Sequence, residues 1–320
     1  MHGQEEHVME TFMNEYSLLA TGLKFPEGPI AQADGSVLVV EIARGTLSRV
    51  ADGRVEIVAE LGGGPNGAAM GPDGWCYVCN NGGFLWVERN GRLFPGNEPD
   101  GFPGGRIERV HLGSGEIEIM YTHCEGQPLR GPNDLVFDRS GGFWFTDHGK
   151  TRRRERDRTG VFYARSDGSH IEEVIFPLEG PNGIGLSADE KEIYIAETPT
   201  GRLWAYELAA PGKLTGERKD RPDGGRLIPG RAGYFFFDSL AVDAGGKVCV
   251  ATIIDGGITI LDPRGGEPGF VPMPDPLTTN ICFGGDDLKT AYITLSSTGQ
   301  LVSMPWDEPG LPLNFLNKRR

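Results

Sequence analysis

Glu27, Asn66, Asn133, Asn182, Asp238 and Thr279 are the residues whose types and spacing could do chemistry. Each heads a short apolar run. Seven positions on from each stands a turn residue: Asp34, Asp73, Ser140, Asp189, Gly245 and Asp286. Fourteen or fifteen positions on, a returning run ends at Glu41, Asn80, Asp147, Glu197, Thr252 and Thr294. Glu27 and Asp238 supply two carboxylates, and Asn133 and Asn182 supply two amide oxygens. Two negative charges offset one divalent cation. An all-oxygen donor set selects a hard ion, Ca²⁺ foremost, with Mg²⁺ and Mn²⁺ next and Zn²⁺ as a further alternative. Asn and Asp also open strands by bonding their own backbone, which accounts for Asn66 and Thr279 equally well. It does not account for Glu27, because Glu is a poor turn former and a buried carboxylate needs a cation or a donor.

The elements that must position these residues are hairpins. Residues 131–147 (GPNDLVFDRSGGFWFTD) show the pattern in full: a strand at 135–137, a turn at 139–142 and a returning strand at 143–146. Six copies in register make a true internal repeat. Successive lead residues lie 39 to 67 positions apart, more than one hairpin needs. The surplus contains further short strands, at 46–50, 55–58, 160–164 and 172–175. Six units of four strands, in a chain with 49 Gly and 23 Pro, predict an all-β fold: a six-bladed β-propeller with four-stranded blades. A sandwich would not explain six equal lead residues. The first strand of a propeller blade lines the central channel, so the lead residues should form a ring at one mouth. The ends of the returning strands should form a wider ring outside it. A strand at 16–23 should complete the last blade and close the ring. The chain therefore divides into a mobile segment 1–14, one propeller domain 15–305, and a Pro-rich tail 306–320.

The formal net charge of −14 argues against nucleic acid or an anionic membrane surface as partner. The first residues carry neither a basic nor an apolar leader region, and no run is long enough to span a membrane, so the expected location is cytoplasmic. Cys76 and Cys79 lie in one strand, where their spacing puts them on opposite faces, and no second pair follows. They read as core thiols rather than half of a zinc site. Two insertions stand out, a Pro/Gly-rich loop at 93–105 and a charged loop at 150–158 (KTRRRERDR) that should emerge at the ring face. The first could serve as a lid. The arginines of the second could meet an anionic substrate group, although a solvated charge run is the simpler reading. The run 234–237 (YFFF) hints at an apolar wall beside Asp238.

Four motifs in order carry a resemblance over residues 16–304: FPEGP around Glu27, GPND around Asn133, GPNG around Asn182 and FDSLAVD around Asp238. They resemble the gluconolactonase, senescence-marker-protein and luciferin-regenerating-enzyme family of six-bladed propellers. That resemblance implies one catalytic divalent cation, with Glu27, Asn182 and Asp238 as direct ligands and Asn133 as a ligand or substrate-facing neighbour. It also implies Asp238 as general base, which makes Asp238 and Asn133 the catalytic candidates. Asn66, Arg130, Asp134 and His148 are the substrate-facing candidates. Asp134 is an alternative base, although strand alternation would turn it away from the channel. His148 is a candidate proton shuttle near pH 7. The chain departs from many sugar lactonases, which have an Arg two positions before the Asn133 equivalent. Gly131 stands there, with Arg130 one residue further back. The expected function is metal-assisted hydrolysis of a lactone or related small ester. The alternatives are a scaffold or cation-binding propeller and a strictosidine-synthase-like enzyme. The substrate and the oligomeric state do not follow from the sequence.

Overall fold

A computed structural model describes residues 16–217 and 219–318; the segment 1–14 lies outside the described residues. Six antiparallel sheets carry the architecture. Blade one consists of Pro26–Ala31, Val37–Glu41, Thr46–Ala51 and Arg54–Glu60. Blade two consists of Pro65–Met70, Cys76–Asn80, Arg106–Val110 and Ile117–Tyr121, and carries an inserted hairpin, Trp86–Arg89 and Arg92–Pro95. Blade three is Pro132–Phe137, Gly142–Asp147, Thr159–Arg165 and Ile171–Leu178. Blade four is Pro181–Leu186, Glu192–Glu197, Arg202–Ala210 and Arg226–Ile228, with Lys213–Leu214 paired to the far end of its third strand. Blade five is Phe236–Val242, Val248–Ile253, Gly257–Leu261 and Gly269–Pro272. In blade six, Thr278–Gly284, Thr290–Leu295 and Gln300–Pro305 are completed by Ser17–Ala20. The ring thus closes with an N-terminal strand, as expected, though that strand is shorter than 16–23.

The core follows from strand alternation. In Val37–Glu41, Val37 and Val39 pack towards blade six, while Leu38 and Val40 pack towards blade two. Cys76 and Cys79 behave the same way, one packed towards blade one and the other towards blade three, both as buried thiols. One apolar cluster fills each junction between neighbouring blades. Burial on both faces explains why the middle strands are continuously apolar rather than alternating.

The six first strands touch one another around the channel. One mouth bears the lead residues. The C-terminal segment crosses the other. Leu311 N donates to Val242 O at 2.9 Å, and Asn314 Nδ2 donates to Phe137 O at 3.0 Å. The Phe315 ring meets Phe137 edge-on at 5.8 Å. Leu311, Leu313 and Leu316 line an apolar channel cavity together with Ala69, Met70 and Val136. The segment read from sequence as a Pro-rich tail is thus, through residue 318, a plug of the far mouth. Truncation after Trp306 is expected to cost on the order of 3 kcal/mol, from the apolar side chains it uncovers. Chemical denaturation checks this, and an unchanged midpoint would refute the plug.

Candidate active site

Each first strand breaks register beside its lead residue. The slips fall between Glu27 and Ile30, Pro65 and Ala68, Pro132 and Leu135, Pro181 and Ile184, Phe237 and Leu240, and Thr278 and Asn280. A bulge re-aims side chains, so the residue after the lead also reaches the channel. In three blades that residue is glycine: Gly28, Gly67 and Gly183. In the others it is Asp134, Ser239 and Asn280. Asp134 therefore lines the channel cavity with Asn280, contrary to the alternation argument that turned it away. In blade six the Thr279 hydroxyl bonds Thr294 and Ser296 and also reaches the Glu27 carboxylate, in keeping with its expected place in the ring. Asn280 joins it there, its Nδ2 donating to Glu27 Oε2 at 2.7 Å. Asn280 and Ser239 were both missed, and the column after the lead residue was the signal that could have found them.

Three carboxylates share this space. Glu27 is 2% exposed, and its Oε2 also accepts from Gly28 N at 2.8 Å. Burial pushes its pKa up to about 7, against the lowering effect of these hydrogen bonds. Asp134 accepts from Leu135 N at 2.9 Å and is likewise pushed up to about 7, first by burial and then by the charge of Glu27. Asp238 keeps slight access to the mouth. Enclosure, and then Glu27 and Asp134, raise it well above the carboxylate range, against a hydrogen bond from Asn182. Among the described residues none of the three is in an ion pair. Asn133 Oδ1 is buried without a hydrogen-bond partner. Asn182 is held by Thr198 Oγ1 at 3.1 Å and Ser239 Oγ at 3.4 Å. Asn66 is buried at its place in the ring. Among the described residues no three His, Cys, Asp or Glu side chains group tightly enough to hold an ion by themselves. Amide oxygens would complete any ligand set, and the orphaned Asn133 Oδ1 and the uncompensated carboxylates fit a hard divalent cation.

The wider ring does other work. Glu41 accepts from Lys24 N at 2.7 Å, and Asn80 from Gly64 N at 2.8 Å. Asp147 accepts from Arg130 N and Gly131 N at 2.8 and 2.7 Å, and Glu197 from Glu179 N at 2.9 Å. These side chains tie down the backbone two or three residues before a lead residue. They position the inner ring and are themselves satisfied.

Both insertions lie on the lead-residue face. Glu98 N donates to Thr151 O at 2.9 Å, joining the two loops, and Leu93 N donates to Ser297 O at 2.9 Å, reaching blade six. Trp86 packs on Phe25 with ring centroids 5.0 Å apart. Lys150, 1% exposed, bonds Gly83 O at 2.7 Å and Asn81 Oδ1 at 3.1 Å, with Phe84 4.1 Å away. Burial lowers its pKa to about 7. The Arg130 side chain, a substrate-facing candidate, is committed to Asp157 at 2.9 Å and Glu98 at 2.7 Å. His148 sits against Arg156 with Nε2–Nη2 at 3.1 Å. Burial, then Arg156 and Lys150, push its pKa down to about 3. A ring held neutral at pH 7 argues against the shuttle role suggested for it. Of the run 234–237, Phe235 and Phe237 belong to the core, whereas Tyr234 is exposed and Phe236 half-buried.

Comparison with known proteins bears on this arrangement. Residues 25–297 match the family model of the SMP-30/gluconolactonase/LRE-like region. A gluconolactonase of Zymomonas mobilis is 26% identical over 311 residues, covering 87% of this chain and 78% of the relative. Lactonase drp35 of Staphylococcus epidermidis is 25% identical over 283 residues, covering 86% and 76%. Regucalcin of Agrobacterium tumefaciens, a calcium-binding protein of known structure, superposes with a TM-score of 0.74 at 17% identity, over 96% of this chain and 98% of that one. The last is a likeness of fold. With the match spanning most of the propeller, the chain belongs to the SMP-30/gluconolactonase/LRE-like family.

Proposed function

We propose that this protein is a divalent-cation-dependent hydrolase that opens a lactone or related cyclic ester at the lead-residue mouth. The observation that carries this reading is the group of Glu27, Asp134 and Asp238, enclosed together with, among the described residues, no cationic side chain paired to them. Such a group is poorly stabilised unless something positive joins it. Glu27, Asn182 and Asp238 would hold the cation, with Asn133 Oδ1 as a fourth donor. Ca²⁺ is the first expectation from the donor chemistry. When bound, such a cation supplies Lewis acidity towards a carbonyl oxygen. The names of the gluconolactonase and lactonase relatives support the ester class.

The chain's own residues account for the rest. Asn280 fixes the Glu27 carboxylate by its 2.7 Å bond. Asp238, at the more open edge of the group, takes the proton from the attacking water. Asp134, deeper in the channel, is the reserve base. The tail plug lines the far end of the channel cavity, and the inserted hairpin packs beside Phe25 at the lead-residue mouth.

The test is hydrolysis of a panel of sugar, aliphatic and aromatic lactones before and after chelation, with Ca²⁺, Mn²⁺, Mg²⁺ and Zn²⁺ returned singly. The expected result is activity lost on chelation and restored by one cation. Full activity in the chelated protein would refute the reading. Cation binding without turnover of any ester would favour a cation-binding propeller.

A further inference from the structure

The rim between blades three and four holds a guanidinium that has no ion-pair partner among the described residues. Arg156 lies in the loop 150–158, which folds back on itself through Arg152 N to Glu155 O at 2.8 Å, Asp157 N to Lys150 O at 3.0 Å, and a bridge between Thr151 and Arg156. Its head lies against His148 and against the backbone of Gly180, where a Cβ would fall 2.7 Å from Arg156 Cζ. Gly180 also has a φ of +56°, which disfavours a side chain, and any side chain there would have to displace the Arg156 guanidinium. Gly180 stands two residues before Asn182. His148 follows Asp147, which ties down the backbone leading to Asn133. Arg156 is thus placed at the mouth between two members of the lead-residue ring.

Its neighbours make the contrast. Arg130 and Arg152 share Glu98 and Asp157 in ion pairs. Among the described residues Arg156 is in none, and its Nε is buried with no partner. Glu179 and Glu197 attract it from beyond contact. Glu197 is already bonded by Glu179 N at 2.9 Å and Thr200 Oγ1 at 2.8 Å. A half-buried guanidinium with no ion-pair partner among the described residues is a receptor for a planar oxyanion. The channel carboxylates and the two glutamates disfavour two negative charges on the one group that meets the guanidinium, which selects a carboxylate over a phosphate.

The geometry points to Arg156 as a specificity-determining residue that binds a carboxylate carried by the substrate, so that the preferred substrates are acidic lactones. This inference rests on the hydrolase reading. Its test uses the γ-lactones of gluconate and glucarate, which differ in whether the terminal carbon is a hydroxymethyl group or a carboxylate. The readout is the ratio of their kcat/KM values, which does not depend on how much of a variant folds. In the wild type the ratio is expected to favour the acidic lactone. Arg156→Gln should lower that ratio on the order of 10- to 100-fold, mainly through KM, and Arg156→Lys should restore part of it. An unchanged ratio in Arg156→Gln would overturn the inference.

A second measurement separates this failure from failure of the hydrolase reading. If the wild type opens neither lactone, calorimetric titration with open-chain glucarate and gluconate decides. Tighter binding of glucarate that is lost in Arg156→Gln supports the assignment. Equal affinities in the wild type and the variant refute it.

Discussion

Glu27→Gln is expected to lower lactone hydrolysis on the order of 10³-fold and, at the same time, to make the metal-free protein more stable. Gln is nearly isosteric with Glu and keeps an acceptor for Asn280 Nδ2 and Gly28 N, so the local frame survives. What disappears is a buried charge beside Asp134 and Asp238. The folded pKa of Glu27 is about 7 against 4.5 for the free side chain. An acid raised in this way costs the fold nothing below its unfolded pKa. The cost grows as the pH rises from about 4.5 to about 7 and is constant above that. That interval corresponds to about 3 kcal/mol. Asp134, also raised to about 7, adds a cost of the same sign. The melting temperature of the chelated wild type should therefore fall across this window, and Glu27→Gln should flatten the fall.

Saturating cation should reverse the order of stability, because a ligand that binds only the folded state stabilises it in proportion to its occupancy. Thermal melts at several pH values, with chelator and with cation, check all of this. A variant that is less stable than wild type in both conditions would show that Glu27 is neutralised within the protein, and the metal reading would lose its main support. Asp238→Asn completes the argument. If it binds the cation and still turns over at a near-normal rate, the proton passes through Asp134 instead.

How much of this was legible in the sequence depends on the range of the interaction involved. Blade number, ring closure and the opposite faces of Cys76 and Cys79 follow from local periodicity, and the structure agrees. Glu27 stood out because its residue type contradicts a turn. Asn280 and Ser239 were hidden by the assumption of strict alternation, since a bulge moves the next residue to the same side and no single copy announces it. The glycine column of Gly28, Gly67 and Gly183 carried that information only when the copies were compared. The wider ring was located but its purpose was not legible, because Glu41, Asn80, Asp147 and Glu197 bond backbone amides ahead of the first strand of their own hairpin. The rim was illegible for a different reason. Lys150 reaches Asn81 and Gly83 across 69 and 67 positions, and no pattern of spacing predicts which loop such a side chain will meet.

Gly183→Ala is expected to damage both stability and turnover although it adds only a single methyl group. A Cβ there would stand 2.7 Å from both Asp238 O and Leu240 N, backbone atoms of the neighbouring blade that cannot rotate away. Relief requires the first strands of blades four and five to separate by several tenths of an ångström. Those strands carry Asn182 and Asp238. Overpacking of this kind costs about 1–3 kcal/mol or more. A displacement approaching 1 Å between groups that must act on one substrate lowers turnover on the order of 10²-fold. Gly230→Ala is the control, because a Cβ at Gly230 meets nothing within 4 Å, and its effect should stay within about 0.5 kcal/mol. Denaturation midpoints and kcat/KM for the two variants settle the comparison. Equal behaviour would mean that the strands part without cost, and the close approach of the channel strands would then not be what holds the lead residues in register.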